Sequence, residues 1–107
     1  MSQFAENLKK LPGISHLAAL NLLDADGKVL ATIENKAGSQ GSLAVYNHLA
    51  QTYGAINAEA AKKGLELYAE HTDDARAHPG KHPNIDRLLE IRARGLVLAP
   101  HLIAANP

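Results

Sequence analysis

The sequence contains no cysteine. That absence excludes disulfides, thiol catalysis and thiolate metal sites. Aromatic residues make up only 4% of the chain, namely Phe4, Tyr46, Tyr53 and Tyr68, so any core must be built from Leu, Ile, Val and Ala. An excess of charge of one sign is lacking as well: 11 basic residues face 11 acidic ones, for a formal net charge of +0. Nothing electrostatic draws such a chain to nucleic acid or to an anionic membrane, and neither is expected as a partner. A chain without net charge is least soluble near neutral pH and tends to self-associate there. Six histidines change that balance in mild acid, because an ordinary imidazole titrates near pH 6.5. No apolar run approaches the ~18 residues that a membrane span needs. The opening Met1-Ser2-Gln3-Phe4-Ala5-Glu6 has no basic region followed by an apolar stretch. No signal peptide is therefore expected, and the cytoplasm is the expected compartment.

What is present reads as one globular domain, residues 1–107, with residues 104–107 frayed. Apolar residues account for 46%. Ser2 can cap a short helix in which Phe4, Leu8 and Leu11 recur at i, i+4 and i+7, and Pro12-Gly13 ends it. Residues 14–34 read as a β-hairpin turned at Asp24-Ala25-Asp26-Gly27. Its second arm, Lys28 to Glu34, is rich in β-formers. Its first arm, Leu17 to Leu23, is so continuously apolar that a doubly covered strand and a short buried helix both fit. A calcium loop does not fit the turn, since its bidentate twelfth position would be Asn35.

Three core helices follow. The first runs from Leu43 to Tyr53, with Gly54 closing it, and turns Leu43, Tyr46, Leu49, Ala50 and Tyr53 to one side. The second, capped by Asn57, is predicted to run unbroken from Ala58 to Ala77, with Ala61, Leu65, Tyr68, Thr72 and Ala75 as its inner stripe. The third, capped by Asn84, spans Ile85 to Arg94, with Ile85, Leu88 and Leu89 inward and Gly95 as its stop. Leu96 to Ala99 reads as a last strand, placed at an edge or bend because Pro100 lacks a backbone donor. Strands and helices are segregated in the chain, which predicts an α+β fold: a small antiparallel sheet of hairpin plus late C-terminal strand, with about three to four helices packed on one face.

Two segments carry candidate chemistry. His71, Asp74 and His78 fall at i, i+3 and i+7, on one side of a helix, and His82 follows in a Pro-Gly loop that can fold back. Imidazole and carboxylate donors suit Zn²⁺ or another divalent ion. The plain alternative is a polar shoulder at a helix end, with His78 near the terminal carbonyls. The second segment is Lys36-Ala37-Gly38-Ser39-Gln40-Gly41-Ser42, ahead of a helix. Free amides at a helix start attract phosphate or carboxylate, glycine lets a ligand approach, and Lys36, Ser39, Gly41 and Ser42 are the candidate contacts. It is neither a P-loop nor a dinucleotide fingerprint. Its plain alternative is a strand-to-helix loop with Ser39 or Ser42 as the cap. No Gly-x-Ser-x-Gly elbow is present, and the Asp73-Asp74 and Asp86/Glu90 carboxylates read as solvated helix faces.

The stretches Thr32-Ile-Glu-Asn-Lys-Ala-Gly-Ser-Gln-Gly-Ser-Leu-Ala-Val-Tyr46 and Glu70-His-Thr-Asp-Asp-Ala-Arg-Ala-His-Pro-Gly-Lys-His-Pro-Asn-Ile-Asp-Arg-Leu-Leu89 resemble a family of short bacterial proteins catalogued only as a domain of unknown function. The resemblance spans nearly the whole chain. It implies a bacterial, cytoplasmic, free-standing protein, and brings no catalytic residue, cofactor or partner with it. The leading expectation is thus a non-catalytic binding or interaction module that self-associates through an edge strand, Leu96 to Ile103. A divalent-metal protein or small metal-dependent enzyme, using His71, Asp74, His78 and His82, is the second. A small-anion or nucleotide binder at residues 36–42 is the third. No cofactor is required by any motif, and a divalent metal is the one candidate.

Overall fold

The computed structural model describes residues 2–105. The first element is a six-residue helix, α1 (Gln3–Leu8), capped as its sequence predicts: the Ser2 hydroxyl accepts the Ala5 N–H at 3.2 Å. The hairpin follows as β1 (Leu17–Leu23) and β2 (Val29–Glu34). Its turn is tied by Asp24, whose Oδ1 accepts the N–H groups of Asp26 and Lys28, each at 2.9 Å. Gly27 sits there at φ +81°, where a side chain would be strained.

The alternative between strand and helix for 17–23 falls to the strand. β1 lies in the middle of a three-stranded antiparallel sheet of order β2-β1-β3. Residues on both of its faces are buried, Ala19 on one and Leu20 and Leu22 on the other, which accounts for its near-continuous apolar sequence. Leu20 and Leu22 face the helices together with Ile33, the cross-strand partner of Leu20. Asn21, Thr32 and His101 form a row on the other face, where the Thr32 hydroxyl donates to Asn21 Oδ1 at 2.7 Å.

Four helices separate the hairpin from the last strand: α2 (Gln40–Tyr53), α3 (Ala58–Tyr68), α4 (Glu70–Ala77) and α5 (Pro83–Arg94). With α1 this makes five among the described residues, in an α+β fold. α2 packs on β1 and β2, and α3 packs against both α2 and α5. The core is aliphatic, with Tyr46 and Tyr68 as its only buried aromatic rings among the described residues. No helix among the described residues is long and apolar enough to cross a membrane.

Several boundaries depart from their sequence expectation. α2 begins at Gln40, three residues before the expected Leu43. The long helix breaks at Ala69, which adopts φ 52° and ψ −117°. Neither glycine nor proline marks the break. It is made by tertiary contacts: the buried Thr72 hydroxyl donates back to the Leu65 carbonyl at 2.7 Å, and α4 turns to meet α1 and α5. The inner stripe Ala61, Leu65, Tyr68, Thr72 and Ala75 is nonetheless buried throughout. α5 starts at Pro83 rather than at an Asn84 cap. Proline suits the first helical position because no partner is needed for its missing N–H, and Asn84 Oδ1 accepts from Arg87 Nη1 at 2.9 Å instead. The last strand, β3, is Ala99–Ala104 rather than residues 96–99; Leu98 makes an isolated bridge with Ile56. Pro100 is tolerated inside β3 because the strand is at the sheet edge. Of the residues 104–107 expected to fray, Ala104 closes β3 and the Ala105 N–H donates to the His16 carbonyl at 2.9 Å. Residues 106 and 107 lie outside the described residues.

Candidate functional site

Asp74 organises the C-terminal end of α4. The loop after the helix wraps back over it, so that His82 Nε2 lies 2.6 Å and Lys81 Nζ 3.0 Å from Oδ2. On the other oxygen, His78 Nδ1 lies 3.2 Å from Oδ1. The His82 hydrogen bond, reinforced by Lys81, holds the Asp74 carboxyl well below the usual carboxylate range. The loop is closed further along by the Gly80 N–H, which donates to Asp86 Oδ2 at 2.9 Å. Among the described residues, no group of three or more His, Asp or Glu side chains is arranged to hold a metal ion. An ammonium and two imidazoles lie against the two oxygens of the Asp74 carboxylate.

His82 also faces the other way, into a cavity of about 460 Å³ that His71 shares. The two rings meet edge to face at 5.7 Å between centroids. Phe4 of α1 covers them, stacked on Tyr68 at 5.2 Å and edge-on to His71 at 4.9 Å. α1 is itself pinned from α4: the Phe4 N–H donates to Glu70 Oε1 at 3.0 Å, and the Ser2 hydroxyl donates to Glu70 Oε2. These contacts, the Ser2 bond foremost, lower the Glu70 carboxyl from its ordinary value.

The opposite wall is the start of α2: Gly38, Gln40, Gly41 and Ser42. Ser39 is the N-cap by position, but its hydroxyl donates to the Glu34 carbonyl at 2.7 Å and does not cap the helix. The first-turn amides are therefore left without a side-chain cap, at the positive end of the helix dipole. Gly41 is where α1 lies against α2. A Cβ there would come within 3.2 Å of Phe4 Cζ and 3.5 Å of Leu8 Cδ1. Tyr68 completes the wall and donates to Ser42 Oγ at 2.7 Å. Burial pushes its phenol far above the ordinary tyrosine range, so it stays a neutral donor. Ser42 thereby keeps its own hydroxyl hydrogen for another acceptor.

Of the eight residues singled out in the sequence, Gly41, Ser42, His71 and His82 thus wall one cavity. Asp74 stands behind His82, and His78 lies outside on the far carboxylate oxygen. Lys36 turns away to pair with Glu34 at 2.7 Å, and Ser39 is spent on the same residue's carbonyl. Phe4, Gln40 and Tyr68 were not singled out for a site. Phe4 and Tyr68 were legible only as apolar helix positions, and nothing in a linear sequence tells a core ring from one at a cavity wall.

Both segments lie within a single stretch, residues 4–101, that matches one family. The chain belongs to DUF2322. That family is described as an uncharacterized protein conserved in bacteria, as the resemblance of residues 32–46 and 70–89 implied. No curated protein and no solved structure matches the chain. In this DUF2322 member the cavity is the feature that points to a function.

Proposed function

We propose that the protein is a binding module whose ligand is a small anion, held in the cavity between α1, the start of α2, and the two histidines. One observation carries the reading: the Gly38–Ser42 stretch and the His71 imidazole, each able to donate hydrogen bonds, wall the same cavity. Ser42 has a free hydroxyl hydrogen, the His71 imidazole carries at least one N–H, and the α2 amides add the positive end of a dipole, while His82 Nε2 is engaged by Asp74. No lysine or arginine lines the cavity, so the affinity expected is modest, on the order of millimolar. Titrating ¹⁵N-labelled protein with acetate and with phosphate should move the amides of Gly38 to Leu43 together with the His71 and His82 ring signals. Ser42→Ala and His71→Ala should each weaken the effect several-fold. A flat response to both anions at matched ionic strength would refute the reading.

The edge segment Leu96 to Ile103 supports a second reading, contact between two copies of the chain. The exposed large hydrophobics among the described residues are Val29 (49% exposed), Leu30 (56%) and Val97 (59%). Val29 and Leu30 open β2, where Val29, Leu23 and Ala99 form a cross-strand row, and Val97 lies two residues before β3. With a net charge of +0, two copies meet without repulsion. Light scattering should give a mass above the monomer that falls towards it in Leu30→Lys/Val97→Lys. A monomer at every concentration would remove this reading.

A further inference from the structure

We infer that a second anion site, separate from the histidine-walled cavity, lies between α1, α2 and α3 and takes the phosphate monoester of a small molecule. A cavity of about 320 Å³ opens there. Lys10, which follows α1, His48 of α2 and Lys63 of α3 line it, together with Asn7, Leu11 and Leu67. None of its lining residues is acidic. It shares no residue with the histidine-walled cavity.

Helix packing brings these side chains to one space. Asn7 Nδ2 donates to the Leu67 carbonyl at 2.9 Å, and Asn7 Oδ1 accepts from Gln3 Nε2 at 3.0 Å. The Asn7 amide thus ties α1 to the end of α3. The Lys10 N–H donates to the Asn7 carbonyl at 3.0 Å, which sets Lys10 in the turn just beyond that tie. Lys63 precedes Gly64, whose missing side chain lets α3 lie close against Val45 and Leu49 of α2. His48 stands beside Leu49 on α2, and both His48 and Lys63 are half-buried.

The lysines that form ion pairs among the described residues are Lys9, Lys36 and Lys81. Lys10 and Lys63 form none. Glu59 and Glu66 line a separate cavity with Lys63, yet neither pairs with it. Two unpaired ammonium groups at one recess repel each other and raise the local positive potential, and a bound anion relieves both effects. A phosphate monoester, with a charge of about −1.5 to −2 at pH 7, matches two fixed cations better than a carboxylate does. Lysine serves phosphate as a point charge. Leu11 and Leu67 offer apolar surface to the carbon part of the ester. The volume is at the low end for small-molecule sites, which favours a compact ester.

The experiment is a titration of the ¹⁵N-labelled full chain with inorganic phosphate, with monobutyl phosphate and, at matched ionic strength, with acetate. Both phosphates should shift the amides of Lys10, Leu11, His48, Lys63 and Leu67. Monobutyl phosphate should bind more tightly than inorganic phosphate, by about three- to fourfold for each methylene that the leucines take out of water. Lys10→Gln and Lys63→Gln should each lower the affinity about tenfold. Lys28→Gln, the same change of charge in the hairpin, should leave it unchanged. Equal losses in all three variants would mean bulk charge rather than a site, and would overturn the inference, as would acetate binding as tightly as the phosphates. If inorganic phosphate binds as tightly as its butyl ester, the esterified ligand is wrong. Silence at these amides removes the site, whereas the anion reading of the histidine-walled cavity is judged by Gly38–Leu43 alone.

Discussion

Gly64→Leu should lower the melting temperature by roughly 12–20 °C, the equivalent of about 3 kcal/mol for a domain of this size. Gly64 lies inside α3 at its crossing with α2 and α5. A Cβ built there meets Leu88 Cδ1 at 2.7 Å and Leu49 Cδ1 at 3.0 Å. Both contacts are ends of leucine side chains, which elsewhere would swing aside. Here Leu49 and Leu88 are fully buried, and the space they would enter is filled. A leucine adds three further carbons beyond that Cβ, so helices must separate. Gly64→Ala is expected to be far milder, because about 1 kcal/mol of helix propensity offsets the tight contact. Thermal and urea denaturation of both variants checks this. A Gly64→Leu protein melting within a few degrees of wild type would mean that the three helices are not seated as described.

Tyr46→Phe, the removal of one oxygen, should cost about 2 kcal/mol. The buried Tyr46 hydroxyl donates to the Asn84 carbonyl at 2.5 Å and accepts from Arg87 Nη1 at 3.2 Å, tying α2 to the first turn of α5. Phenylalanine fills the same space and removes both hydrogen bonds. The pH dependence sharpens the test. Burial pushes the Tyr46 phenol up to about 12, against the opposing pull of Arg87. The fold therefore favours the protonated form. Its contribution is complete below the ordinary phenol value near 10 and is lost as pH rises through about 12. Wild-type stability should fall across that window. Tyr46→Phe should fall less steeply, keeping the slope due to Tyr68, whose phenol is raised by burial as well. Identical alkaline slopes for the two proteins would contradict the hydrogen-bonded, buried position of Tyr46.

Much of the fold was legible in the chain because its signals are local. Ser2 and Asn57 cap helices with their own side chains. Gly54 and Gly95 stop helices in left-handed conformations. Asp24 and Gly27 make the hairpin turn from within four residues. In each case the stabilising partner is a near neighbour, so residue type and spacing suffice. The break at Ala69 was illegible for the opposite reason. Alanine is the best helix former and would continue the helix by propensity alone; the turn is imposed by the Thr72–Leu65 bond and by the contacts α4 makes with α1 and α5.

The candidate site divides along the same line. Residue types and spacing show which donors exist and that they cluster in two short segments, because glycine, serine and histidine carry their chemistry wherever they are. It takes the packed chain to bring Gly41, Ser42, His71 and His82 to one cavity, to turn Lys36 away from it, and to set Lys81 beside His82 on the Asp74 carboxylate. Those outcomes depend on how α1 lies across Gly41 and how the 78–82 loop folds over α4. Such contacts link residues far apart in the chain, and their energies are set by packing that no local pattern encodes.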